Sequence, residues 1–250
     1  MLPDERYAVI LDEVARQPAV SIRSLTERLG VSRETVRKDI ETLAKQGKLA
    51  QIRGGATPIV TQEAPISDRV LRNAAGKSRI AALVAAMIPD NASLIIDNGS
   101  STLEVARALS RRHQGLYVYT NDLKLAELIG PACREVVVLG GRLDLAESAT
   151  FGVEVIENLS RYRAEFALIS AGGLSARAGF TDFSREAADL RARMLEQAET
   201  PMILADHSKF GVIGQVVMPE PPVGTILVTD EHPDGDILRA LKNTELQVAR

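Results

Sequence analysis

The chain has a single cysteine, no tryptophan and only 4% aromatic residues. Cys133 alone closes no disulfide within the chain and has no cysteine partner for a thiolate metal site. With so few rings the core must be aliphatic, and 45% hydrophobic residues supply it. No apolar run reaches the ~18 residues that a membrane-spanning helix needs. The opening residues Met1-Leu2-Pro3-Asp4-Glu5 lack the basic then apolar pattern of a secretory signal. A cytoplasmic protein without membrane contact is the expectation. Repeats of fixed period and low-complexity stretches are also missing.

What is present falls into two parts. A length of 250 residues allows a small domain followed by a larger one. The net charge of −3 hides an uneven distribution. Residues 1–56 hold ten Lys and Arg against eight Asp and Glu, and the remainder holds 20 against 25. The excess of two positive charges is small, but it puts any nucleic-acid-binding face at the N-terminus.

Tyr7, Ile10, Leu11 and Val14 recur at helical spacing, so a helix is expected over 4–16. Gln17-Pro18 ends it. Ser21 is placed to cap a second helix over 22–29, which Gly30 terminates. Ser32 is placed to cap a third, running to about Gln46. A strand over 48–52, a turn at Arg53-Gly54-Gly55 and a return strand over 56–59 follow. Residues 57–76 read as loop. Beyond Lys77, strands are expected at 93–96, 116–119, 135–139, 165–169, 202–205 and 225–228. Helices are expected at 78–87, 103–109, 124–128 and 187–197. This alternation predicts a largely parallel sheet wrapped by helices.

Two short helices joined at Gly30 form a helix-turn-helix pattern. On the second, Val36, Ile40 and Leu43 face the first helices, while Arg33, Glu34, Arg37 and Lys38 face outward. Arg33 and Arg37 are four apart and project together. Arginine pairs bidentately with guanine, and Ser32, Thr35 and Lys38 suit phosphates or base edges. Glu34 and Lys38 are spaced to pair. The helix by itself is equally compatible with a solvated charged face; the Gly-Gly hairpin carrying Arg53, where a wing belongs, favours DNA.

The run from Ser21 through Val31-Ser32-Arg33-Glu34-Thr35-Val36-Arg37-Lys38-Asp39 to Arg53-Gly54-Gly55-Ala56 resembles the N-terminal domain of DeoR-type repressors. The resemblance implies DNA contacts from Ser21, Ser32, Arg33, Glu34, Thr35, Arg37, Lys38, Arg53, Gly54 and Gly55. Arg53 departs from the His common at that place. Asp39 is expected to orient a basic side chain rather than face DNA.

In the second part, strand 93–96 runs into Asp97-Asn98-Gly99-Ser100-Ser101-Thr102 and then a helix. Free N–H groups at such a helix start bind anions, phosphate above all, although a plain helix cap has the same sequence. Small and polar residues also follow the other strands: Thr120-Asn121-Asp122, Gly140-Gly141-Arg142, Ser170-Ala171-Gly172-Gly173 and Asp206-His207-Ser208-Lys209. Ligands bind at the carboxyl ends of strands in such sheets. These stretches are similar to the sensor domain of the same family, which shares its fold with ribose-5-phosphate isomerase. Asp97, Gly99, Ser101 and Thr102 match its loop, and Gly179 and Glu186 match further motifs. Leu159-Ser160-Arg161-Tyr162-Arg163 and Asp182-Phe183 look most like the glycerol-3-phosphate repressor subgroup.

The expected fold is therefore α/β: a winged helix-turn-helix over 1–57, a linker over 58–76, and a ribose-5-phosphate isomerase-like α/β sensor domain over 77–250. The resemblance implies a phosphorylated sugar or polyol effector held by Asp97, Gly99, Ser100, Ser101, Thr102, Thr120, Asn121, Gly140, Gly141, Gly172, Gly173, Glu186, Asp206 and Lys209. Lys209 has an alternative role as a structural partner of Asp206. No metal or cofactor is expected. The expected partners are double-stranded operator DNA, the effector, and further copies of the chain in a dimer or tetramer. A phosphosugar isomerase using Asp97, Glu186, Asp206 and Lys209 as acid/base groups is the competing reading, and an activator has the same architecture as a repressor.

Overall fold

A computed structural model of the chain describes residues 2–16, 20–52, 54–57 and 63–250. The N-terminal part comprises α1 (Pro3–Arg16), β1 (Val20–Ser21), α2 (Ile22–Leu29), α3 (Arg33–Lys45), β2 (Ala50–Ile52) and β3 (Gly55–Thr57). Its helices start where hydroxyls can cap them. Ser21 Oγ accepts from the Ser24 N–H at 3.0 Å, and Ser32 Oγ accepts from the Thr35 N–H at 3.1 Å. Each satisfies a backbone donor that a helix start leaves without a partner. Gly30 closes α2 in the left-handed region at φ +64°, where a side chain would be strained. Ile10, Val14, Leu25, Leu29, Val36, Ile40 and Leu43 form one buried cluster. The apolar stripe expected on α3 thus faces inward, and its charges face out.

The hairpin is anchored at its base. Strand β3 lies between β1 and β2, with Gly55 opposite Ser21 and Ile52. A Cβ at Gly55 would lie 2.0 Å from the Val20 carbonyl oxygen. Arg53 and the continuation of the expected return strand past Thr57 as far as Ile59 lie outside the described residues.

Residues 57–76, expected as loop, contain a helix, α4 (Ile66–Leu71), and the start of α5 (Ala74–Met87). Pro65 precedes α4 as its N-cap, a place where a missing N–H removes no helical bond. The other end is closed by the buried Lys77 ammonium, which donates to the Arg69 carbonyl and, at 2.7 Å, to the Arg72 carbonyl.

The rest of the chain continues with β4 (Ser93–Ile96), α6 (Ser100–Arg112), β5 (Leu116–Thr120), α7 (Leu123–Ile129) and β6 (Cys133–Val138). A hairpin of β7 (Arg142–Asp144) and β8 (Ala149–Phe151) leads to α8 (Val153–Leu159), β9 (Ala164–Ser170), β10 (Gly173–Ser175) and β11 (Gly179–Asp182). Then come α9 (Arg185–Glu196), β12 (Ala198–Leu204), β13 (Val216–Val217), β14 (Thr225–Thr229), α10 (Gly235–Ala240) and β15 (Thr244–Val248). Seven strands form one sheet in the order β15-β14-β12-β9-β4-β5-β6, and every pairing in it is parallel. Alternate residues serve opposite faces: Ile95, Ile169 and Ile203 join one core cluster, while Leu94, Ile96, Leu168 and Met202 join another. Both faces are therefore covered, as a parallel sheet requires. The expected parallel sheet is found; the small antiparallel sheet β10-β11-β13 and edge strand β15 add to it. No helix among the described residues is long and apolar enough to cross a membrane.

Gly55→Ala tests the anchoring of the hairpin. Pushing β1 and β3 apart is expected to cost about 1–3 kcal/mol, as overpacking does, read as a lowered denaturation midpoint. An unchanged midpoint would show that the strands yield freely.

Candidate functional site

Two surfaces stand out. The first is the outer face of α3. Arg33, Glu34, Arg37 and Lys38 are exposed there. Neighbouring cations are paired: Arg23 with Glu27 at 3.0 Å, Arg28 with Glu13 at 2.8 Å and Lys45 with Glu41 at 2.8 Å. Among the described residues Arg33, Arg37 and Lys38 make no ion pair, and the Glu34–Lys38 pairing allowed by their spacing does not form. Asp39 is buried and receives two hydrogen bonds from Arg6, at 2.7 and 3.0 Å. It orients a basic side chain, Arg6 of α1.

Several residues expected to touch DNA also hold the fold. Ser21 and Ser32 cap helices, and the Ser32 and Thr35 hydroxyls lie 2.9 Å apart. At the hairpin tip Gly54 adopts φ +82°, and its carbonyl accepts from the Ile22 N–H at 2.7 Å. The tip of the hairpin is thereby pinned to the start of α2.

The second surface is a crevice at the carboxyl ends of the parallel strands. From β4 the chain builds outward through β5 and β6 on one side; β9, β12, β14 and β15 lie on the other. The order reverses between β4 and β9, which is where open α/β sheets bind ligands. Asp97, Asn98 and Gly99 leave β4 there. Helix α6 begins at Ser100 rather than at residue 103, so Ser100, Ser101 and Thr102 are its first turn. No side chain caps this helix, and the N–H groups of those three residues have no protein partner among the described residues. Thr102 Oγ1 donates to the Gly99 carbonyl at 3.0 Å. A Cβ at Gly99 would lie 2.6 Å from Ser170 Oγ, so glycine permits the close approach of the two strand ends.

The other expected residues divide into groups. Asn121 is committed within the protein: its Oδ1 accepts from the Asn98 N–H at 3.1 Å and its Nδ2 donates to the Thr150 carbonyl at 3.1 Å. Thr120 Oγ1 accepts from the Asp122 N–H at 3.1 Å. Gly140 is open on its Cβ side, whereas a Cβ at Gly141, Gly172 or Gly173 would meet Phe151 O at 2.7 Å, Asp182 Cα at 3.1 Å or Val212 O at 2.3 Å. Those three glycines let chain segments pack. Glu186 sits on the exposed rim, paired with Arg142 at 2.5 Å. Asp206 Oδ1 accepts from Asn73 Nδ2 at 2.9 Å and from the Ser208 N–H at 3.0 Å, while its buried Oδ2 has no partner among the described residues. Lys209 does not pair with Asp206. Its Nζ lies 3.5 Å from Glu63 Oε1. Burial pushes the Lys209 ammonium below its usual range, against the pull of Glu63 and Asp206.

The floor of the crevice is a group that the sequence did not reveal. Arg191 is buried and donates to Asp97 Oδ2 at 2.7 Å, to Asp182 Oδ2 and to the Asn98 carbonyl at 3.3 Å. Burial pushes the Asp97 carboxyl up to about 6; the charge and hydrogen bond of Arg191 oppose this, and the charge of Asp182 adds to it. A cavity of about 250 Å³ opens over Asn98, Asp182 and Arg191, with Glu63, Glu147 and Phe183 among its walls. Arg69 of α4 is buried between Glu63, at 3.3 Å, and Glu147. These partners lie far apart in the chain, so no local spacing marks them. Beside the crevice, Tyr119 stacks on Tyr162 with ring centroids 4.3 Å apart.

Comparison with known proteins covers both parts. Residues 6–62 match the family model of the DeoR-like helix-turn-helix domain, and residues 72–231 match that of the DeoR C-terminal sensor domain. The chain is 31% identical to the HTH-type transcriptional repressor GlcR of Bacillus subtilis, covering 94% of this chain and 91% of that one. It is 28% identical to the glycerol-3-phosphate regulon repressor of Escherichia coli over 99% of both chains. A similarity to ribose 5-phosphate isomerase A of Methanocaldococcus jannaschii covers 54% of this chain and 53% of that one, at 13% identity and a TM-score of 0.39.

Removing the central cation should leave two carboxylates buried and uncompensated. Arg191→Leu is expected to destabilise the protein by about 3–5 kcal/mol, measured by urea denaturation. A loss below about 1 kcal/mol, the scale of an exposed pair, would mean that water reaches the carboxylates.

Proposed function

Because the chain belongs to the DeoR family of helix-turn-helix regulators, we propose that it is a transcriptional repressor whose hold on operator DNA is released by a phosphorylated sugar or polyol. The observation that carries the DNA half is the outer face of α3. Three cations stand there without ion-pair partners among the described residues, while the opposite face is sealed into a core. In a helix-turn-helix the second helix enters the major groove, N-terminal residues nearest the bases. Arg33 and Arg37 read guanine edges, and Thr35, Lys38 and the hairpin tip around Gly54 meet phosphates. Two copies, in a dimer or tetramer, present α3 to half-sites about one helical turn apart.

The crevice supplies the effector half. Unpartnered N–H groups at the start of α6 favour an anion. The buried Asp206 Oδ2 favours a guest that brings a hydroxyl donor. Phosphate on one end and hydroxyls on the other describe a sugar or polyol phosphate. Glycerol 3-phosphate is one such compound, and the Escherichia coli relative takes its name from it. Isomerase-type catalysis finds less support. Asp97 is engaged by Arg191, Glu186 lies exposed on the rim, and the relatives reported above are regulators.

Binding to fluorescent promoter fragments tests the DNA contacts. Arg37→Ala is expected to cost about 1–3 kcal/mol of specific binding and to relax base preference, whereas Lys38→Ala should weaken all sequences alike and flatten the salt dependence. Unchanged affinity for Arg37→Ala would remove it from the contacts. Thermal-shift screening tests the effector, since a ligand of the native state raises the melting temperature. Phosphorylated polyols or sugars should raise it and their unphosphorylated counterparts should not; the reverse would overturn the assignment.

A further inference from the structure

The crevice contains a carboxylate that an anion-binding site would not be expected to hold. Glu63 belongs to the segment that joins the two parts, six residues beyond Thr57 at the end of β3. Its Oε1 lies 3.3 Å from Arg69 and 3.5 Å from Lys209 Nζ, and the side chain is 23% exposed. It lines the same cavity as Asn98 and Arg191, and Arg191 feels its charge. Glu147 flanks Arg69 from the other side and accepts from Asn98 Nδ2 at 3.4 Å. Asn98 immediately precedes the Gly99 turn and the open start of α6.

We propose that Glu63 is an internal stand-in for the anionic group of the effector, tethering the connecting segment to Lys209 and Arg69 until phosphate displaces it. The inference rests on the effector reading above and gives that site its means of control. Glu147 links Arg69 to Asn98 beside the start of α6, so a phosphate drawn into the crevice competes with Glu63 for these cations, and one set of cations cannot neutralise both anions in a partly desolvated place. Once displaced, Glu63 no longer holds the chain that leads to β3. Because that segment joins the two parts, freeing Glu63 loosens the placement of the whole N-terminal part, α3 included, relative to the parallel sheet. Effector and DNA then weaken each other's binding by the same factor, as linkage requires.

The experiment uses the full chain and its Glu63→Gln variant, with inorganic phosphate as the probe and calorimetry as the readout. The variant should bind phosphate about tenfold tighter, and in phosphate-free buffer it should bind operator more weakly by a factor within the ~5–150 typical of coupled sites. Uptake of phosphate by the variant alone also supports the proposal. Equal or weaker phosphate binding by the variant, or equal operator affinity, overturns it while leaving the effector site standing. If neither protein takes up phosphate, the effector reading fails and this inference fails with it. Circular dichroism melts of both proteins confirm that the comparison is between folded chains.

Discussion

Arg191 carries a charge it cannot lose, and its side chain is almost wholly buried. Ordinary side-chain chemistry leaves a buried guanidinium one solution, which is to surround it with acceptors. Asp97 from the end of β4, Asp182 from the end of β11 and the Asn98 carbonyl do this. Such an arrangement adds little net stability, because desolvation consumes most of the attraction. What it does is fix positions. The ends of a central strand and of a small antiparallel sheet are bound to one helix, and the turn that opens α6 hangs from that joint. Asp97, Asn98 and Asp182 take their places from this one.

The sheet order explains why the crevice is where it is. Strands on either side of the reversal send their connections to opposite faces, so the ends of β4 and β9 are not covered by a crossing loop. Gly99 lets those ends approach, and Asn121 ties the neighbouring loop to Asn98. The resulting floor is polar and rigid. Four acidic residues, Asp97, Asp182, Glu63 and Glu147, meet three basic ones, Arg69, Arg191 and Lys209. Asp206 adds a further acid, so net charge does not draw an anion in. For the proposed anion, selection falls to local geometry, at the helix start and at the Asp206 oxygen that has no partner among the described residues.

Local signals were legible in the sequence and distant ones were not. The bounds of α2, the two serine caps and the inward stripe Val36, Ile40 and Leu43 follow from spacing and capping chemistry within a few residues. The parallel sheet follows from apolar runs alternating with helices. The turn at residues 99–102 was readable as a strand-to-helix junction, but α6 starts three residues sooner than its apolar spacing suggests, because small hydroxyl residues fill its first turn. Helix α4 escaped because it is six residues long and follows a proline. Arg191 escaped for a different reason. It is 94 residues from Asp97 in the chain, and on α9 it reads as one more charge on a helix. Lys209 was visible as a site residue, but its partner Glu63 was not, since only folding brings them together.

Helix α3 is held entirely from behind. Its apolar stripe enters the core, and Asp39, the one acid on its inner side, is bound by Arg6. Among the described residues, Arg33, Arg37 and Lys38 on the outer face make no ion pair that contributes to that attachment. Arg33, Glu34, Arg37 and Lys38 can therefore change without disturbing the core, whereas Ser32 and Thr35, which close the start of the helix, are less free to do so. A regulator of this family built on such a helix can have that face rewritten while its parallel-sheet domain stays as it was.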